Sequence, residues 1–286
     1  MKTLKSRIFG VLLALVLVAG GAVESRAFTI GVDTEGGGAF QDITLINYFT
    51  DTGLAVGFIP VIPTPFDIEF ILQGRVSGFQ NGGTPVIFPG LALQTGEMTF
   101  VTKFSETVTD IQTVGGTTTA TFQSGEDLTG LLQFYAQPAG TFTGPGDATH
   151  ANPKAVSGYT DGTPILTAHI MSQNASFSST VPGLLGTGSF DVVFKVDSFD
   201  ADYWDIPVDL FLLRFHTTGT LNQPSTFTPP VMWDGTSFAA AAAAGLNPQY
   251  LKFDGSTDFT VVPEPSTILL LGFGLVGAGF LARRRK

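Results

Sequence analysis

The chain has 286 residues, no cysteine, 26 phenylalanines and a formal net charge of −10. Without cysteine there is no disulfide scaffold, thiolate metal site, iron–sulfur cluster or cysteine nucleophile. The acidity opposes nucleic acid and anionic headgroups as partners, and the phenylalanines supply a sizeable core in place of disulfides.

Residues 1–27 read as an export signal. Lys2, Lys5 and Arg7 precede an almost unbroken apolar stretch from Ile8 to Gly21, and Ser25-Arg26-Ala27 places small residues at the −3 and −1 positions of a cleavage site before Phe28. That is a Sec-type signal peptide, a cleavable helix too short and wrongly flanked for a lasting membrane span. Residues 28–262 form the exported body. It keeps six of the fourteen Lys and Arg but 22 of the 24 acids, a formal net charge of −16.

The body reads as all-β. Phe66, Ile68, Phe70 and Leu72 alternate with Asp67, Glu69 and Gln73; Met98, Phe100 and Phe104 alternate with Thr99, Lys103 and Ser105; Phe190, Val192, Phe194 and Val196 alternate with Asp191, Lys195 and Asp197. A period of two is what a sheet with one wet face requires. Leu131–Ala136, Ile165–Met171 and Val208–Phe215 are more continuous apolar runs that suit buried strands. Turn formers separate these runs, at Asn81-Gly82-Gly83, Gly115-Gly116, Gly144-Pro145-Gly146, Asp161-Gly162 and Pro229-Pro230. The pattern predicts a β-sandwich or jelly-roll-like fold. The one helical candidate within the body is the alanine-rich Ser237–Leu246.

Residues that carry chemistry are few. His150, His169 and His216 lie far apart, and no zinc-protease, nucleophile-elbow or phosphate-loop motif occurs. Glu97, Glu106, Glu126 and Asp127 are carboxylates of the kind a glycosidase pairs, and a polysaccharide-modifying hydrolase is the alternative they leave open. The densest constellation is Asp197-Ser198-Phe199-Asp200-Ala201-Asp202-Tyr203-Trp204-Asp205. Asp197, Asp200, Asp202 and Asp205 would offer oxygen ligands to Ca²⁺, and Tyr203 and Trp204 would stack on pyranose rings. Equally, the acids make an ordinary exposed loop and the aromatics an ordinary core. No catalytic residue is assigned, and no cofactor beyond this Ca²⁺ is expected.

Residues 263–286 form a tripartite tail. Pro263-Glu264-Pro265 is a rigid extended linker, because each proline fixes its own φ and biases the residue before it. The apolar run 268–282 makes a helix of about 22 Å, short against a hydrocarbon core of roughly 30 Å. Gly272, Gly274, Gly277 and Gly279 weaken it further. Arg283-Arg284-Arg285-Lys286 stays cytoplasmic by the positive-inside rule. The segment suits a temporary inner-membrane span or, alternatively, a lasting tail anchor.

This tail resembles the C-terminal anchor of the PEP-CTERM family of exported bacterial proteins. With Gly188-Ser189-Phe190-Asp191-Val192-Val193-Phe194, Leu210–Phe215, Phe253-Asp254-Gly255-Ser256-Thr257-Asp258-Phe259, Leu131-Leu132-Gln133-Phe134-Tyr135 and Asp161-Gly162-Thr163-Pro164-Ile165-Leu166, the chain also resembles the flocculation-associated members. The resemblance implies sorting by an exosortase that recognises Pro263, Glu264 and Pro265. It further implies transient insertion through 268–282 and a non-enzymatic role at the cell surface or in the exopolysaccharide matrix, promoting cell aggregation.

Overall fold

A computed structural model describes residues 29–49, 51–57, 65–92, 96–124, 130–138, 159–181, 185–206, 211–221 and 249–261. The expected signal helix, the alanine-rich candidate at 237–246 and the helix at 268–282 lie outside these residues. Among the described residues the only helix is one short turn, Pro89–Ala92, and the all-β expectation holds.

Strand pairing shows how the body closes. β3 (Leu45–Tyr48) and β4 (Asp51–Val56) run end to end as one stave. That stave is antiparallel to β5 (Phe66–Asn81) on one side and to β14 (Gln249–Val261) on the other, and the short β6 (Thr84–Val86) folds back onto the end of β5. β8 (Thr117–Ser124) and β9 (Leu131–Gln137) likewise share the space between β7 (Glu97–Val114) and β10 (Thr163–Val181). β11 (Leu185–Phe199) and β13 (Phe211–Leu221) continue the sheet to β14. Because β5 also pairs with β7, from Phe66↔Val108 to Arg75↔Thr99, no edge remains in this circuit. The sheet is a closed barrel of eight staves, each antiparallel to the next in chain order. Sandwiches, jelly rolls and barrels share the same alternation, and the pairing refines the expected architecture to an up-and-down meander.

The inward residues are largely apolar and most outward ones polar, but on β4, β5 and β7 the outward-phase Leu54, Ile71 and Val101 are buried as well. β9 alternates half-buried and buried along its length, so Leu131–Ala136 has one wet face although its composition suggested two dry ones. Inside, Phe100 lies 4.6 Å from the Tyr48 ring, 5.3 Å from Phe215 and 5.9 Å from Phe134. An eight-strand barrel is just wide enough for such side chains to fill. A membrane-spanning barrel has the opposite polarity, apolar outside and polar within; here the interior is apolar and most of the outward side chains are polar.

A second, three-stranded sheet plugs one end. β1 (Ile30–Val32) pairs with β2 (Gln41–Ile43) and with β12 (Trp204–Asp205). Ile30, Val32, Ile43 and Trp204 join the barrel's core cluster, and Trp204 meets Phe134 edge-on at 6.0 Å. Asp200 N–H donates to the Ile165 carbonyl at 2.9 Å, fixing the turn before β12 to the start of β10. The plug therefore occupies the end at which β11 and β14 finish and β13 begins.

Candidate functional site

Both ends of the body meet at the plugged end. β14 closes the barrel, and its last rung joins Val261 to Phe211 of β13. Pro263 follows only two positions later. Pro263, Glu264 and Pro265 themselves lie outside the described residues.

The acidic run 197–205 does not form a single loop. Asp197 belongs to β11, where its Oδ1 lies 2.5 Å from His169 Nδ1 on β10. Asp200 organises the turn: its Oδ1 accepts from Asp202 N–H at 2.9 Å, and its carbonyl accepts from Tyr203 and Trp204 N–H. Asp205 sits in β12 opposite Gly31. Tyr203 and Trp204 are buried, so the core alternative describes them and neither ring presents a face to a sugar in solvent. Among the described residues no three His, Asp or Glu side chains converge to hold a metal ion.

The residue that organises the plug was not singled out in the sequence. Asp33 is buried, and its carboxylate accepts from the N–H groups of Glu35, Gly37 and Ala39 at 2.8, 2.8 and 2.9 Å. Burial pushes its pKa up, but the combined backbone donors win and hold the carboxyl below its ordinary range. Asp33 N–H in turn donates to the Tyr203 carbonyl. Burial, followed by the charges of Asp200, Asp33, Glu35 and Asp202, raises the Tyr203 pKa. The plug thus carries an acidic collar around a buried phenol.

Glu97 and Glu106 are both buried on β7. An odd separation along a strand puts them on opposite faces, and nine positions set them about 30 Å apart. Carboxyl pairs of glycosidases stand roughly 5–9.5 Å apart. Glu106 shares its face with Phe104 and Val108, inside the barrel, and neither carboxyl oxygen has a hydrogen-bond partner. Burial raises its pKa to about 8, which keeps it protonated at neutral pH. It lies beside the seam where β8 gives way to β9. There the Gln173 amide reaches from β10 to the Ser105 carbonyl on β7. His216 and Arg214 both approach Asp191 Oδ1 on the outer wall, at 2.9 and 3.3 Å. Cross-strand pairs of this kind steady a sheet.

Residues 261–286 match the family model for the PEP-CTERM protein-sorting motif. The chain carries a PEP-CTERM tail. No curated protein and no solved structure matches the chain significantly.

The tail marks the protein as exported and sorted at the membrane by an exosortase. The PEP-CTERM match begins at Val261, which is also the final residue of β14, so the sorting segment and the barrel share a residue. Six residues, 262–267, separate that last rung from the first residue of the apolar run, Ile268. Fully extended they reach about 20 Å.

Proposed function

We propose that this is a non-enzymatic surface or exopolysaccharide-matrix protein that contributes to cell aggregation after exosortase processing. The observation that carries the reading is the PEP-CTERM match joined directly to the closing strand of a complete barrel. Release of the tail after Val262 would leave all eight staves intact, so processing would deliver a finished domain. The mostly polar outer wall and the body's net negative charge suit a hydrated matrix. The alternative hydrolase needs a carboxyl pair; the separation of Glu97 from Glu106 speaks against that one pairing, while Glu126 and Asp127 lie outside the described residues.

The test is the identity of the C-terminus. Cells would be fractionated, the protein mass-mapped from membrane and matrix, and aggregation compared with a strain lacking it. A matrix form ending near Pro263–Ser266, together with weakened aggregation in the deletion strain, is expected. Full-length protein confined to the membrane would overturn the reading.

A further inference from the structure

The outer wall contains a dish that the sorting function does not use. It is an open groove of about 740 Å³ across β8, β10, β11, β13 and β14. Strand register arranges its side chains in rows. Ser176, Ser189, Thr218 and Asp254 lie directly opposite one another on four successive strands, β10, β11, β13 and β14. Thr119, Ser178 and Thr187 form a parallel row, displaced by two residues along the strands. The result is a lattice of hydroxyls, with Ser176 and Ser189 in contact at 3.1 Å and one cation, Lys252, beside one acid, Asp254.

We propose that this dish binds an extended, uncharged glycan laid across the strands; the inference rests on the matrix reading above and names the surface that makes the contact. Each hydroxyl is both donor and acceptor, the complement of a sugar's own hydroxyls. The strands stand roughly 4.8 Å apart, close to the rise per residue of an extended pyranose chain, so successive sugars along a row meet successive strands in phase. Charge selects the polymer. Lys252 and Asp254 offset each other, and the acidic body repels polyanions. The lining also includes Phe177, Gly188 and Phe253, so apolar surface lies among the hydroxyls. The dish also lies towards the end where β10 finishes and β11 begins, away from the tail, so it stays open before and after processing.

The experiment uses the full chain purified in detergent, titrated with a ladder of cello-oligosaccharides and separately with polygalacturonate. Affinity is expected to rise with oligomer length and level off near five sugars, about one per strand crossed. Ser176→Ala with Ser189→Ala should weaken binding about tenfold or more. The matched pair Thr107→Ala with Thr109→Ala, on the outer face of β7, should not. If the dish variant melts early, Ser176→Thr with Ser189→Thr keeps the hydroxyls and should restore binding. No binding by the wild type, preference for the polyanion, or equal loss in both alanine pairs would overturn the site. Correct sorting and aggregation without glycan binding would refute the dish alone, whereas a retained membrane form would refute the matrix reading itself.

Discussion

Glu106 stands directly opposite Ile68 across the β5–β7 ladder, its carboxyl sealed inside the barrel without a partner. Its pKa is raised by burial from 4.5 to about 8. Below 4.5 the folded and unfolded chains both hold the proton. Between 4.5 and 8 only the folded chain does, so stability falls as pH rises through this window and levels off above it. The full effect is roughly 3–5 kcal/mol, a large share of a typical domain's margin. Urea unfolding between pH 5 and pH 9 should show the midpoint falling in the wild type and staying nearly flat in Glu106→Gln. Equal slopes would contradict the buried carboxyl.

Asp33 works in the opposite direction. Its lowered pKa means that its contribution is present above the ordinary carboxylate range and lost as pH falls through the folded value. Asp33→Asn keeps one acceptor oxygen but turns an N–H group towards the donors of Gly37 and Ala39. A loss of about 1–3 kcal/mol is expected, since bonds to a charged acceptor are at stake. The plug is its own small sheet, so the loss should appear locally. Amide exchange should quicken at Gly37 and Ala39 while β5 and β7 keep their protection, and uniform acceleration would count against a local cap.

Gly36 has φ +72°, and a Cβ there would stand 2.6 Å from the Tyr203 ring. Both the backbone and the contact require glycine. Gly36→Ala should lift Tyr203 off the plug and expose the phenol. Quenching of tyrosine fluorescence by an added solute would rise in the variant, and an unchanged quenching curve would contradict the packing.

The strands were legible because alternation depends only on neighbours in the chain. Phe66–Leu72, Met98–Phe104 and Phe190–Val196 fall in β5, β7 and β11. Closure was not legible, since a period of two assigns a face to each residue but not a partner to each strand. The misleading signal in the acidic run came from the same limit. Tyr203 and Trp204 sit among carboxylates in sequence, yet β12 pairs with β1, some 170 positions upstream, and that distant pairing turns the aromatics inward. Glu106 did leave a trace: it occupies the apolar phase of β7, in step with Phe104 and Val108.

Phe100 packs over Gly74, its partner across the ladder, where a Cβ would come within 2.5 Å of the ring. Truncating Phe100 to alanine removes contacts with Tyr48, Phe134, Phe215 and Phe253 at once. A loss of about 3–5 kcal/mol is expected. Gly74→Ala alone should also destabilise, by overpacking. In the Phe100→Ala background the same change should recover part of the loss, because the ring that excluded the methyl is gone. A double-mutant cycle on thermal unfolding reads this coupling directly, and additive effects would mean the two sites do not touch.

The short tether makes sorting sensitive to where the barrel stops. Val261 is held in the sheet and Pro263 begins the rigid linker, leaving Val262 as the single residue between them. Deleting Val262 would bring Pro263 directly against the last rung and slow processing, because an enzyme that needs extended chain on both sides of its motif would have to peel β14 from β13. Inserting a few Gly-Ser residues after Val261 relieves that constraint and should leave processing as fast as, or faster than, wild type. Glu264→Ala with Pro265→Ala should block it in either background, with full-length chain accumulating in the inner membrane. The ratio of full-length to processed protein by mass spectrometry separates these cases. If Val262 deletion is processed normally, the enzyme does not sense the barrel. If the Glu264, Pro265 double variant is released unchanged, the motif itself is not what is read.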